Sequence, residues 1–217
     1  MARKKVAILI SGRGSNMQAL IEAARDPDYP AEIVRVISNR PDAAGLAHAA
    51  TAGIATEVVD HKAYRGREPF EAALNERLAA TGAELVCLAG FMRLLTAGFV
   101  NTWRDRLINI HPSLLPAFPG LDTHARALAA GVRFAGCTVH FVRAEMDNGP
   151  IIVQAAVPIR PDDDEAALAA RVLEAEHRAY PLAVALVASG RARVVGDTVA
   201  IDGAAPPAGF LMNPAGA

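Results

Sequence analysis

Lysine is almost missing from this chain: Lys4, Lys5 and Lys62 are the only ones, and arginine carries the rest of the positive charge. We read that bias as a coding preference without functional weight. Net charge is also near zero, at −1 over 217 residues. Such a balance argues against a general nucleic-acid or polybasic membrane role, although it leaves room for a local anion site. Cysteine is reduced to Cys87 and Cys137, far apart and each within an apolar, strand-like run. Two buried free thiols in a reducing compartment are expected, not a disulfide framework or a zinc site. No apolar run approaches transmembrane length. Val6 to Ile10 is too short for the core of a signal peptide, and Ser11-Gly12 ends it. A cytoplasmic protein with no membrane partner is the expectation. No set of His, Cys or acidic residues has convincing metal spacing, so no metal is expected.

What is present is ordinary for a globular protein, with 52% hydrophobic and 21% charged residues. The length suits one sizeable domain. Val6 to Ser11 is continuously apolar and reads as a buried parallel strand. A glycine turn at Gly12-Arg13-Gly14 leads into a helix from Met17 to Arg25. Further strands are expected at 32–38, 55–59, 84–89 and 107–110. Helices at 43–52 (capped by Gly53), up to Ala80 (with Gly82 beyond) and at 96–102 separate them. This alternation predicts an α/β fold, a mostly parallel central sheet flanked by helices, Rossmann-like in its N-terminal half. Past residue 111 the rhythm changes. A helix at 123–130 precedes strands at 136–142 and 151–157, and the Asn148-Gly149-Pro150 turn between them favours an antiparallel pair. Asp162-Asp163-Asp164-Glu165 opens a long helix to Ser189, its acids suited to the macrodipole. Arg191 to Ile201 reads as a small hairpin. The Pro/Gly/Ala-rich tail from Ala204 is expected to be loose.

Two stretches bear chemistry. The turn Gly12-Arg13-Gly14-Ser15-Asn16 sits between a buried strand and a helix, where α/β sheets bind phosphate. Ser15 and Asn16 are placed to cap that helix and to donate to the same oxygens. It is not a dinucleotide fingerprint, because Met17 occupies the third glycine position and the second strand ends in Ser38-Asn39-Arg40 without an acid. No Walker lysine follows it, and a plain strand-to-helix turn stays open as the alternative. The second stretch is Leu107 to Pro116. Alternation along a strand puts Asn109 and His111 on one face and Ile108 and Ile110 on the other. A buried amide or imidazole is costly without partners, so two of them at one strand end point to a site. Asp147 is the best third member, since its loop could reach a neighbouring strand end; a simple turn-starting role competes. Together the three suit acyl transfer, with amide and imidazolium stabilising an oxyanion and a carboxylate relaying a proton. No Ser or Cys stands in a nucleophile elbow, so direct transfer is expected. His140 shares a face with Thr138 and is favoured as a hydrogen-bonded core residue. At His124 capping and surface roles compete, and His48, His61 and His177 sit in ordinary contexts.

The motifs Ile10-Ser11-Gly12-Arg13-Gly14-Ser15-Asn16, Leu88-Ala89-Gly90-Phe91-Met92-Arg93-Leu94-Leu95 and Asn109-Ile110-His111-Pro112-Ser113-Leu114-Leu115-Pro116 occur in order. Phe118 to His124, Thr138 to Val142, Met146 to Ile152 and Glu176 to Pro181 follow. In this combination the chain resembles the folate-dependent phosphoribosylglycinamide formyltransferase family over nearly its whole length. The resemblance implies formyl transfer from 10-formyltetrahydrofolate, as cosubstrate, to the amine of glycinamide ribonucleotide in purine synthesis. It implies Asn109, His111 and Asp147 as the catalytic trio, with His111 as general acid. Gly14, Ser15, Asn16 and Glu176 would meet the ribonucleotide. Arg67, Met92, Arg93, Leu94, Leu95 and Asn109 would line the folate pocket with Arg143, Ala144, Glu145, Met146 and Asp147. The resemblance also makes Leu115-Pro116 a candidate cis peptide. Asp122 and Arg143-Ala144-Glu145 depart from the family pattern and touch only the detail of the folate loop.

One domain over 1–217 is expected, with a nucleotide-binding half at 1–106, a catalytic and folate-binding half at 107–190, and a hairpin and tail at 191–217. A monomer or weak homodimer acting on small molecules is expected. Methionyl-tRNA formyltransferase would add a C-terminal domain and a basic surface, and formyltetrahydrofolate deformylase an N-terminal regulatory domain. The chain's ends argue against both. A non-catalytic nucleotide-binding module would leave Asn109, His111 and Asp147 without a purpose.

Overall fold

The computed structural model describes residues 2–203, 205 and 207–214. Its strands are β1 (Lys4–Ile10), β2 (Ala31–Ser38), β3 (Thr56–Val58), β4 (Leu85–Leu88), β5 (Leu107–His111), β6 (Phe134–Phe141), β7 (Ile151–Pro158), β8 (Ala192–Val195) and β9 (Thr198–Ile201). The helices are α1 (Ser15–Ala23), α2 (Gly45–Thr51), α3 (Arg67–Ala80), α4 (Ala97–Thr102), α5 (Thr123–Ala129) and α6 (Glu165–Ala188). Seven strands form one sheet in the order β3-β2-β1-β4-β5-β6-β7. Pairing is parallel from β3 to β5 and antiparallel for β5–β6 and β6–β7. The expected C-terminal hairpin is β8–β9, a separate antiparallel pair.

Alternation along the apolar strands builds the two layers. Val6, Ile8 and Ile10 face a cluster shared with Met17 and Leu20 of α1 and with Tyr180, Ala183 and Val184 of α6. Ala7 and Leu9 face the opposite cluster, with Phe70, Leu74 and Leu78 of α3 and Phe99 of α4. Each fully buried aliphatic side chain contributes roughly 1.5–3 kcal/mol. Cys87 and Cys137 are free and buried, and burial pushes both thiols up to about 12.

Strand order fixes where a site can form. After β1 the chain moves outward to β2 and β3, then returns to place β4 on the other side of β1. The connections after β1 and β4 therefore leave in opposite directions, and the crevice between them lies at the carboxyl ends of these strands. Ser11 and Gly90 meet there, with Ser11 N–H donating to Gly90 O at 3.1 Å.

Two expectations about helix starts needed correction. Ser15 and Asn16 do not cap α1; they are its first residues, and Gly14 occupies the cap with φ 73° and no side-chain hydrogen bond. That left-handed conformation suits glycine, and a Cβ there would lie 3.2 Å from Gly45 Cα, where α2 crosses the turn. The acidic run does not begin the long helix at 162, because Asp164 is in extended conformation and caps α6 by accepting from Ala167 N–H at 2.7 Å. Asp163 instead accepts from both terminal nitrogens of Arg171, at 2.7 Å each. The described residues of the tail form no helix or strand and are mostly exposed, and Asn213 Nδ2 donates to Arg133 O at 2.7 Å and to Ile159 O at 2.9 Å. Ala204, Pro206 and residues 215–217 of that tail lie outside the described residues. Leu115-Pro116 is cis.

Tyr180 joins α6 to the sheet beside the crevice. Its hydroxyl, fully buried, donates to Leu88 O at 2.9 Å, with Ile108 O 3.3 Å away. Tyr180→Phe should cost about 1–2 kcal/mol, because it leaves a buried carbonyl without its donor. Urea unfolding of the two proteins measures the difference.

Candidate active site

Asn109 and His111 lie on the α3/α4 face of β5, opposite Ile108 and Ile110. The antiparallel register with β6 puts His140 directly across from Asn109 and Thr138 across from His111. Residues paired in this way share a face, so Asn109 and His140 meet. Asn109 Nδ2 is 3.4 Å from His140 Nε2. His140 Nδ1 is 3.0 Å from Phe141 O, which only a protonated nitrogen can approach as a partner. His140 is 2% exposed, and burial holds its imidazole below the ordinary range, with the neighbouring His111 pushing the same way. It is therefore a neutral ring with Nδ1–H donating to Phe141 O and Nε2 accepting from Asn109. One N–H of the Asn109 amide is spoken for, and the other is left for the cavity.

His111 stands between two acceptors. Its Nε2 is 3.0 Å from Phe118 O, and its Nδ1 is 3.5 Å from Asp147 Oδ2. Phe118 O can only accept, so Nε2 carries the hydrogen of that bond, and the Nδ1 edge faces the carboxylate at ion-pair distance. Asp147 is held by Gly120 N–H, which donates to Oδ2 at 2.8 Å, and its Oδ1 is 3.9 Å from His140 Nε2. Asp147 itself has φ 53°, a left-handed conformation that Asp tolerates better than most residues. The loop bearing it is pressed onto β6, since a Cβ on Gly149 would fall 1.6 Å from Phe141 O.

These groups line a cavity of about 460 Å³. Its apolar wall is formed by Leu88, Phe91, Met92, Leu94, Leu95 and Val142, and its polar members include Asn109, His111, His140, Arg143 and Asp147. Of the sequence-proposed folate residues, Arg93, Ala144 and Met146 also line it. Arg67 does not; it is exposed at the first residue of α3. Glu145 faces a second cavity of about 730 Å³ on the other side of the loop, with Arg104 and Asp197. That larger space contains none of Asn109, His111 or Asp147. Sequence reasoning kept His140 in the core and missed its contact with Asn109. Only the β5–β6 register reveals it.

On the other side of the sheet, Asn16 Nδ2 donates to Glu176 Oε2 at 2.7 Å. This ties the glycine turn to α6. Burial raises the Glu176 carboxyl, and the bond from Asn16 opposes that rise. The first turn of a helix has amides without intrahelical partners, so with no side chain capping α1 the turn is suited to an anion. Among the described residues no group of three or more His, Cys, Asp or Glu is arranged to hold a metal ion. No described helix is long and apolar enough to cross a membrane.

The model of the formyl transferase family matches residues 4–184. This chain belongs to the formyl transferase family. Within that family it is 43% identical over 209 residues to phosphoribosylglycinamide formyltransferase of Escherichia coli, covering 96% of this chain and 99% of that protein. It is 54% identical over 194 residues to the trifunctional purine biosynthetic protein adenosine-3 of Drosophila melanogaster. That match covers 88% of this chain but only 14% of the longer insect protein. Glycinamide ribonucleotide transformylase 1 from Symbiobacterium toebii shares the fold with a TM-score of 0.89 and 49% identity, covering 92% of this formyl transferase chain and 94% of its own.

One buried and two half-buried histidines set a pH dependence. Burial lowers His124, His140 and His177 relative to the ordinary value of 6.5, so the folded state binds fewer protons than the unfolded chain just below that pH. Stability is then complete above 6.5 and falls as pH drops below it. The urea midpoint should be flat between about pH 7 and 8 and decline between about 6.5 and 5.5. His140→Gln should make that decline shallower whatever its effect on the midpoint at pH 7.5.

Proposed function

We propose that this chain transfers the formyl group of 10-formyltetrahydrofolate to the amine of N1-(5-phospho-D-ribosyl)glycinamide, giving the formylated ribonucleotide in purine (IMP) synthesis. The observation that carries the reading is the grouping of Asn109, His111 and Asp147 in the wall of an apolar cavity. The size and lining of that cavity suit a flat heterocycle, its faces against apolar side chains and its polar edge held by a few polar groups. The names of the relatives support the same reaction.

In this mechanism the substrate amine attacks the formyl carbon and forms the new C–N bond, while the carbonyl electron pair moves onto oxygen. The free N–H of Asn109 and the protonated His111 stabilise that oxyanion. The attacking nitrogen then sheds a proton, and Asp147 is placed to pass it on. As the carbonyl re-forms, the bond from carbon to N10 of the folate breaks, and N10 takes up a proton. The products are the formamide and tetrahydrofolate. The trio thus needs no covalent enzyme intermediate.

Binding roles follow the geometry. Gly14, Ser15 and Asn16 would receive the ribonucleotide phosphate at the start of α1, and Glu176 would meet its ribose or amine. Met92, Arg93, Leu94, Leu95, Asn109, Arg143, Ala144, Met146 and Asp147 would surround the folate. Arg67 and Glu145 would meet the folate outside the cavity wall. In the same reading the chain acts as a single domain in the cytoplasm, as a monomer or weak homodimer, on small molecules and not nucleic acid.

A formyl-transfer assay with glycinamide ribonucleotide, water and charged tRNA as alternative acceptors tests the assignment. Transfer to the ribonucleotide is expected, and transfer only to water or tRNA would refute it. Asn109→Ala and His111→Ala should each lower turnover by roughly 10²–10³; near-normal turnover in His111→Ala would remove the mechanism. Ser15→Ala should instead raise KM for the ribonucleotide and leave KM for the folate unchanged.

A further inference from the structure

The Phe91–Thr96 segment, which supplies much of the apolar cavity wall, has no regular secondary structure. Phe91 anchors its start in the core and Leu95 packs against that core, but Met92 is 65% exposed and Leu94 64%, so side-chain burial alone does not fix the run between them. Two buried polar side chains from elsewhere do. Met92 N–H donates to Ser11 Oγ at 2.8 Å. At the other end Thr96 N–H donates to Glu71 Oε1 at 2.8 Å, and the Thr96 hydroxyl donates to Glu71 Oε2. Ser11 is 5% exposed and Glu71 4%.

The geometry points to Ser11 and Glu71 as positioning residues that preform the cosubstrate wall by fixing where the Met92–Leu95 run begins and ends. This rests on the reading of that run as folate-binding. Ser11 is aimed for the task. Its hydroxyl hydrogen goes to Asn39 Oδ1 at 2.5 Å, which leaves the oxygen lone pairs towards Met92 N–H. Asn39 is itself 2% exposed and is joined to β1 through Ile10 O. Glu71 projects from α3, and its carboxylate accepts two hydrogen bonds at the start of α4, where negative charge is favourable. A carboxylate buried this deeply is costly unless paired in this way. A wall fixed beforehand binds its ligand without having to order a loop on binding. Neither side chain lines the cavity, so both act through Met92 and Thr96.

Two measurements test this. Amide exchange in the ligand-free protein should show Met92 N–H exchanging at least about tenfold faster in Ser11→Ala, and Thr96 N–H likewise in Glu71→Ala, with the β1 amides of Val6 to Leu9 unchanged. In steady-state kinetics each variant should raise KM for 10-formyltetrahydrofolate at least about fivefold, with kcat within about threefold and KM for the ribonucleotide within about twofold. Ser11→Thr and Glu71→Gln, which keep an acceptor, should restore most of the folate KM. Unchanged exchange at Met92 and Thr96, or a folate KM equal to wild type in Ser11→Ala, overturns the proposal. So does a parallel loss in both KM values and kcat, which would mark a general structural role. If Glu71→Ala does not fold, Ser11→Ala and Glu71→Gln carry the test. Wild-type enzyme that passes no formyl group from the folate would defeat the proposed function alone, because amide exchange needs no substrate.

Discussion

Parallel strands deliver their connections at one end of the sheet, and where successive connections part in opposite directions a gap must open between them. Here that gap lies between β1 and β4, and the rest of the site is arranged around it. The glycine turn leaves on one side and the Met92–Leu95 run on the other, while β5, beside β4, carries Asn109 and His111. Backbone and side chain of Ser11 stitch the two lips together. Without that split the two halves of the site would lie on separate edges of the sheet.

The reacting end of the cavity obeys a second constraint, that buried polar groups must be paired. His140 gives its proton to Phe141 O and its lone pair to Asn109, so the amide is oriented by a ring that carries no charge. His111 gives its Nε2–H to Phe118 O and turns its Nδ1 edge to the Asp147 carboxylate. Two imidazoles on adjacent strands thus take different hydrogen-bonding roles, and the difference comes from their neighbours and not from their type. Asp147 completes the set only because Gly120 N–H holds its carboxylate and a left-handed backbone turns its side chain inward.

Much of this was legible in the sequence. The continuous apolar run at Val6 to Ile10, ended by a glycine turn, read as a doubly buried strand, and the polar Asn109 and His111 on one face of β5 announced a cost that required partners. The antiparallel pair was visible in Asn148-Gly149-Pro150. What the sequence did not show were contacts set by register and by distant packing. His140 meets Asn109 because β5 and β6 pair at that offset, and no local pattern fixes an offset between strands separated by a proline-rich segment and a helix. The cap of α1 was misassigned because Ser and Asn are good capping residues, yet Gly14 alone suits the left-handed turn under α2. Arg67 and Glu145 came only with the family resemblance, and the structure puts Arg67 at the exposed start of α3 and Glu145 on a second cavity.

The bond from Asn16 to Glu176 joins residues 160 positions apart in the chain. Such a contact forms only after almost all of the intervening chain is in place, since closing so long a loop is entropically uphill until other packing has shortened it. The brace between the glycine turn and α6 is thus a late product of folding, completed when α6 docks against α1. A ribosome that has released only the N-terminal half has made the turn but not the acid that stands over it.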